Sequence, residues 1–251
     1  MDATNHRPRQ QVSCDACPLR KRQEFRDFSE DELAFMRRFK RGELTIDKGA
    51  AILQEGAHTP HLYTVLSGWA FRYKMMRDGR RQIVNYAMPG DMIGLQGSLM
   101  GEMQHSVEAL SPMTLCVFER AELFGLFTRS PELAYDVTWI ASREECMLDE
   151  NLLTVGRRTA QEKIAYLVVF LWSRSVACGL TGRNVVDITL TQQHVADTLG
   201  LSLVHTNKMI RKLAERKLLT WSDGGCRILD LERLRRLAQW DDAIPAKRPF
   251  L

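Results

Sequence analysis

Residues 191–217, TQQHVADTLGLSLVHTNKMIRKLAERK, constrain the fold more tightly than any other stretch of this chain. They predict a helix, a three-residue turn and a second helix that closes on basic side chains. Ala196 falls in the first helix and Gly200 at the turn. A helix pair of this kind needs a small residue where the helices touch and a glycine where the chain turns with positive φ. Val195, Leu199, Leu201, Met209 and Leu213 supply the apolar positions, and Thr191 is placed to cap the first helix through its hydroxyl. With that side buried, the second helix is free to enter a DNA major groove. Val204, His205, Asn207, Lys208, Arg211 and Lys212 are among the side chains turned outward.

Two short apolar runs follow, Leu218-Leu219-Thr220-Trp221 and Cys226-Arg227-Ile228-Leu229, separated by Ser222-Asp223-Gly224-Gly225. Asp-Gly-Gly between such runs is a hairpin signal. A helix-turn-helix followed by a two-stranded hairpin is a winged helix, and Val185-Val186-Asp187-Ile188 reads as a further strand ahead of it.

At 251 residues the chain is long enough for two domains with proper cores. No apolar stretch approaches the roughly 20 residues of a membrane span. The segment MDATNHRPRQQ lacks the apolar core of a signal peptide, so a cytoplasmic protein without membrane association is expected. Six irregularly spaced cysteines do not form a disulfide framework, and their thiols are expected free or metal-bound. The net charge of +4 conceals an asymmetry. From Arg157 onward there are 16 Lys and Arg against 9 Asp and Glu, whereas the preceding part has 19 against 22. The basic half is the half with the helix-turn-helix, as phosphate attraction requires.

The organisation reads as α+β. Residues 1–27 form a polar leader containing Cys14-Asp15-Ala16-Cys17, and FSEDELAFMRRFKR (28–41) predicts an amphipathic helix capped by Ser29. Short glycine-punctuated strands then run to about Glu119, with alternation visible at 61–66 and 81–87. That pattern predicts a small antiparallel barrel or jelly roll within residues 28–130. A long helix follows over 131–157, with Pro131 suited to its first turn and roughly 40 Å in length. Val137, Ala141, Leu148, Leu152 and Val155 lie along one side at coiled-coil-like spacing, so self-pairing into a homodimer is expected. Residues 158–240 complete the winged helix domain, and 241–251 are assigned as a C-terminal tail.

Barrel, long helix and winged helix in this order resemble the Crp/Fnr family of bacterial transcription regulators. Leu66-Ser67-Gly68, the strand-loop-strand around Asp78-Gly79-Arg80-Arg81-Gln82-Ile83, and Pro89-Gly90-Asp91-Met92-Ile93-Gly94 carry the resemblance together with the helix-turn-helix. It implies an effector-sensing barrel, paired long helices, and two DNA-binding domains reading a two-fold symmetric site on double-stranded DNA, with RNA polymerase as a further partner. The family's base-contacting places fall on Leu203, Val204, Asn207 and Lys208, and Thr191 and Gln192 would contact phosphates. Well-known members carry glutamate where this chain has Val204. Valine touches a thymine methyl but cannot accept from cytosine, while Asn207 suits adenine and Lys208 guanine. Arg211 and Lys212 suit phosphates or bases.

What the barrel senses is left open by the residues. Cyclic AMP is not expected, because His105-Ser106 stands where the phosphate-binding arginine pair belongs and the acidic ribose partner near Gly94 is missing. The resemblance also implies an iron–sulfur option. Cys14, Cys17 and Cys116 fill three of four ligand positions, and Asp15 or Glu24 would have to complete the set. Alternatively Cys14 and Cys17 form a redox pair, or Cys116 is simply a core residue, as Cys146, Cys178 and Cys226 are expected to be. Haem is a third option, with His58, His61 and His105 as axial donors. A cupin-like metal-dependent enzyme is the rival class. His58-Thr59-Pro60-His61 supplies two histidines for it, but not at the His-x-His spacing that aims both rings inward from a strand.

Overall fold

Two four-stranded antiparallel sheets form the N-terminal domain. In the computed structural model, which describes residues 11–180, 190–222, 225–241 and 247–251, one sheet has the order β1 (Lys40–Ile46), β8 (Met113–Glu119), β3 (His61–Ser67), β6 (Met92–Ile93). The other has the order β2 (Ala51–Leu53), β7 (Ser106–Ala109), β4 (Ala70–Met75), β5 (Arg81–Ala87). The alternation along β3 separates two cores rather than core from solvent. Tyr63 and Val65 join Val107, Met113 and Leu115 between the sheets, while Leu62 and Leu66 pack outward with Phe39, Phe118 and Leu123.

Helices cover that outer face. α1 (Glu30–Phe39) starts in a full capping box, in which the Ser29 hydroxyl accepts from Glu32 N and the Glu32 carboxylate accepts from Ser29 N. Two short helices, α2 (Leu95–Met100) and α3 (Leu123–Arg129), follow, and α3 buries Leu123 and Leu126 in the same outer core. α4 (Pro131–Arg157) is one unbroken helix with proline in its first turn. Its N-terminal part belongs to the barrel. Leu133 and Val137 are buried in the outer core, and Asp136 pairs with Arg26, which also pairs with Glu32. Val137 is therefore not part of a free seam, whereas Ala141 and Leu152 are exposed and Leu148 and Val155 half-buried.

The C-terminal domain contains α5 (Ala160–Ala177), α6 (Gln192–Leu199), α7 (Leu203–Glu215), β9 (Leu219–Ser222), β10 (Gly225–Ile228) and α8 (Leu231–Ala238). β9 and β10 pair antiparallel from Leu219↔Ile228 to Ser222↔Gly225, giving the expected wing. The strand expected at 185–188 and the turn residues 223–224 lie outside the described residues. Among the described residues no helix is long and apolar enough to cross a membrane.

The two domains share one apolar core. Trp69, Phe71, Ile83, Tyr86 and Met88 of the β4–β5 side pack with Ile164, Leu167, Val168 and Leu171 of α5 and with Val195 and Leu199 of α6. The C-terminal residues are likewise packed rather than free. Arg248 bridges Phe25 in parallel register, and the Phe250 ring stacks on Phe28 at 4.8 Å and meets Phe25 edge-on at 5.1 Å. Of the segment assigned as a C-terminal tail, residues 247–251 are packed, with Phe250 and Leu251 in an apolar groove beside the leader.

Leu213 is fully buried in the shared core. Leu213→Ala is expected to cost about 2–5 kcal/mol through lost burial and an unfilled cavity. Urea titration followed by circular dichroism measures this, and a cost within error of zero would contradict the packing.

Candidate nucleic-acid interface and sensor cavities

The sequence places a rigid, two-sided helix at the surface. α6 is fixed by Thr191, whose hydroxyl accepts from His194 N at 3.2 Å, while His194 Nδ1 accepts from Thr191 N at 3.2 Å. A histidine thus does the work usually given to glutamate in a capping box. Gly200 turns the chain at φ +64°, a conformation that costs a Cβ-bearing residue strain. Ser202 then caps α7 by accepting from His205 N at 3.2 Å. Thr206, Met209, Ile210 and Leu213 turn inward. On the opposite side Val204 is 80% exposed and Leu203 42%. His205, Asn207, Lys208, Arg211 and Lys212 are exposed with them. Thr191 is exposed at the start of α6 and Gln192 half-buried. Ser202 escaped the sequence reading as a functional position, although a serine just before an apolar periodic run is a helix-start signal.

The side of α6 away from solvent docks on the β4–β5 hairpin. Tyr86 Oη and Thr198 Oγ1 are hydrogen-bonded at 2.6 Å, Gln82 Nε2 donates to Thr198 O at 2.8 Å, and Arg81 Nε donates to Asp197 at 2.8 Å. Burial pushes the Tyr86 hydroxyl well above its usual range, so it stays a neutral partner. Beside these contacts a groove of about 800 Å³ runs between the hairpin tip (Met75, Met76, Arg80) and Gln193, Ser202 and Leu203. No local pattern announces this docking, since its partners are more than 110 residues apart.

The three cysteines singled out in the sequence do come together. Cys14, Cys17 and Cys116 line one small cavity with Lys40, Phe250 and Leu251. Burial raises the pKa of the Cys14 and Cys17 thiols and pushes Cys116 up to about 12 against the lowering effect of Lys40. These are protonated, weakly nucleophilic thiols rather than an activated redox pair. The cavity measures about 30 Å³, room for water but not for a multinuclear cluster. Asp15 turns away to pair with Arg37, and Glu24 does not line the cavity. The residues as arranged do not fit a four-ligand iron–sulfur cluster. Cys178 and Cys226 are buried as expected, but Cys146 is exposed on α4 and is no packing residue.

The histidines do not converge. His58 Nδ1 is hydrogen-bonded to Gly101 O at 2.7 Å, and His61 lies 3.7 Å from Glu119. His105 is buried and accepts from Arg72 Nε at 3.0 Å, and Arg72 also pairs with Glu144. Burial and the Arg72 charge pull the His105 pKa down to about 3. The Arg72 guanidinium thus occupies His105 Nε2, one of the two ring nitrogens through which an imidazole binds a metal. Among the described residues no three His, Cys, Asp or Glu are grouped to hold a metal ion. The cavity between barrel and α4, lined by Arg72, Gly94, Gln96, His105 and Glu144, is about 150 Å³. That is below the roughly 300 Å³ where small-molecule pockets begin.

A small β-barrel joined by a long helix to an outward-facing basic helix-turn-helix defines a DNA-binding regulator. Comparison with known proteins agrees. Residues 43–130 match the cyclic nucleotide-binding domain family and residues 162–237 the Crp-like helix-turn-helix domain family. The nitrogen fixation regulation protein FixK of Bradyrhizobium diazoefficiens is 30% identical over 76% of this chain and 79% of its own length. The transcriptional activator protein FnrL of Cereibacter sphaeroides is 28% identical over 80% and 81%. The structure of FixK2 from Bradyrhizobium japonicum superposes with a TM-score of 0.70 at 25% identity, covering 81% of this chain and 98% of that one. This chain belongs to the Crp/Fnr family and is a DNA-binding transcription regulator, not an enzyme of the cupin type.

Two outcomes follow from the burial described. Iodoacetamide near neutral pH is expected to label Cys146 well before Cys14 and Cys17, with Cys116 and Cys226 last; mass spectrometry of a quenched time course reads the order, and early labelling of Cys116 contradicts it. His105 is held neutral in the fold, so the unfolded chain takes up a proton that the folded one refuses. Stability from this group is present above about pH 6.5 and lost as pH falls toward about 3. His105→Gln should flatten that part of the urea-midpoint profile, and an unchanged slope would remove the assignment.

Proposed function

We propose that two copies of this chain pair along α4 and read a two-fold symmetric duplex site with their α7 helices. The observation that carries the reading is the division of α7 into a fully packed inner side and an outer side that leaves Val204, Asn207, Lys208 and Arg211 exposed together. Spaced at three and four residues, these side chains share one helix face of a width suited to a major groove. Leu203 and Val204 offer apolar contact to thymine methyls, Asn207 pairs with adenine, and Lys208 reaches guanine. Thr191, Gln192, His205, Arg211 and Lys212 surround that centre and suit phosphate contacts, which position without specifying sequence.

Pairing through α4 is supported by exposed Leu152 and Ala141 on a helix of 27 residues whose other side is held to the barrel by Glu144, which accepts from Asn85 Nδ2, and by Asn151, which donates to Val84 O. Two-fold pairing would set the α7 helices about one turn of DNA apart. The docking of α6 on the β4–β5 hairpin, through Tyr86, Gln82 and Arg81, fixes their tilt, so a signal that loosens this contact changes DNA affinity. On this reading the protein acts at promoters in the cytoplasm, with RNA polymerase as a partner.

Selection of a preferred duplex, then binding of variants at fixed salt, tests the reading. Lys208→Ala is expected to weaken the selected site by about 1–3 kcal/mol and relax one base position, leaving a scrambled duplex unaffected. Lys212→Ala should weaken both duplexes alike and shallow the salt dependence. Equal loss on both duplexes for Lys208→Ala would reject base readout. Separately, Leu152→Asp is expected to give monomers by sedimentation, and an undisturbed dimer would exclude α4 as the pairing element.

A further inference from the structure

Three guanidinium groups meet one carboxylate where the barrel, α4, α5 and the C-terminal segment come together. Asp91, in the turn before β6, is held by Arg174 of α5 and by Arg248, whose Nη1 donates to Asp91 Oδ1 at 2.8 Å. Both arginines have further partners: Arg174 Nη1 donates to Tyr86 O at 2.8 Å, and Arg248 Nη2 to Pro89 O. Arg143 of α4 is the third. It approaches Asp91 only to 3.9 Å, too far for a hydrogen bond, and its guanidinium has no hydrogen-bond acceptor among the described residues. Its remaining contact is the Trp139 ring, 5.8 Å away. Burial, then the like charges of Arg174 and Arg248, pull the Arg143 pKa down to about 10.

A half-buried group of three cations and one anion is electrostatically incomplete, and uncompensated buried charge is costly. The missing charge has a place to sit. Arg143, Arg174, Arg248 and Lys247 line a cleft of about 520 Å³ against a single carboxylate, Glu24, and its rim shares Arg143 and Arg248 with the smaller cavity under Gly94. We propose that this cleft binds a small phosphorylated anion, with Arg143 as its principal donor and Lys247 closing the outer side. Guanidinium forks match pairs of phosphate oxygens, and Arg143 has its donors free to do so.

A DNA phosphate is a poor occupant. The Arg174 and Arg248 side chains are only 6% and 9% exposed, recessed below the reach of a duplex backbone. Pairing along α4 leaves the cleft open. At about 100° per residue, Trp139, Arg143 and Cys146 share one face of the helix, while Ala141, Leu148, Leu152 and Val155 lie on the far side. A ligand here would bridge four separate parts of the chain and so favour the docked arrangement over any alternative.

The test replaces chloride by inorganic phosphate or pyrophosphate at constant ionic strength. The wild-type Tm is expected to rise by about 3 °C at ten times Kd, and Arg143→Gln to show no rise. In chloride alone Arg143→Gln should be at least as stable as wild type, because burial and the like charges of Arg174 and Arg248 outweigh the attraction of Asp91 at this cation, so a missing response is not a folding defect. No rise in the wild type, or an equal rise in both proteins, overturns the proposal. Loss of affinity for a scrambled duplex in Arg143→Gln, with the phosphate response intact, would instead make Arg143 a DNA contact and equally overturn it.

Discussion

Burial of the β4–β5 aromatic face against α5 and α6 is the constraint on which the rest of this molecule depends. Trp69, Phe71 and Tyr86 would be exposed on the barrel, and Leu167, Val168 and Leu171 on α5, if the domains separated. At about 25 cal/mol per Å² of apolar surface, exposing even a few such side chains costs several kcal/mol. The polar contacts around that core decide orientation more than adhesion. Tyr86 to Thr198, Gln82 to Thr198 O and Arg81 to Asp197 each demand a particular tilt of α6, and a slide of a few ångströms would leave buried donors without acceptors.

This division between a sticky core and directional contacts suits a regulator. An interface held by apolar burial alone tolerates sliding; one held by hydrogen bonds at its rim has discrete arrangements. Arg81 sits at the junction of both, its guanidinium 4.9 Å from the Phe71 ring centre and paired with Asp197. Asp91 plays the corresponding part on the other flank. Burial alone would raise its pKa, yet Arg174, Arg248 and Arg143 hold the carboxyl well below the ordinary range. Its charge is thus kept at any physiological pH, and with it the link between the barrel's turn, α5 and residue 248.

Local chemistry made much of the architecture readable in advance. The Ser29 box, Pro131, Thr191 and Gly200 each set an element boundary by satisfying or breaking backbone hydrogen bonds within a few residues. The outer face of α7 was legible for the same reason, since helical spacing alone sorts Met209 and Leu213 from Asn207 and Lys208. What was not legible depends on distant partners. Val137 matches a seam by spacing, but Leu133 and Phe118 claim it for the barrel core. Cys146 resembles the other half-apolar thiols, yet it lies exposed on α4 at the edge of an open cleft. Residues 247–251 carry charge and proline like any tail, and only the groove beside Phe25 and Phe28 makes them structural.

The convergence of Cys14, Cys17 and Cys116 shows how a correct grouping can still mislead about chemistry. Their meeting was inferred from resemblance, and the leader's short 3-10 turns do bring all three to one cavity. Thiolate ligation or rapid oxidation needs a cation or helix dipole strong enough to offset burial. Among the described residues Lys40 is the only cation lining that cavity, and its ammonium is already committed to Glu43 and to Val12 O. Phe250 and Leu251 fill the remaining space with hydrocarbon. Burial therefore dominates, and the three thiols hold the leader to the barrel as apolar groups. The packing that quiets these thiols also seats Phe250 and Leu251, from the end of the chain, against the leader.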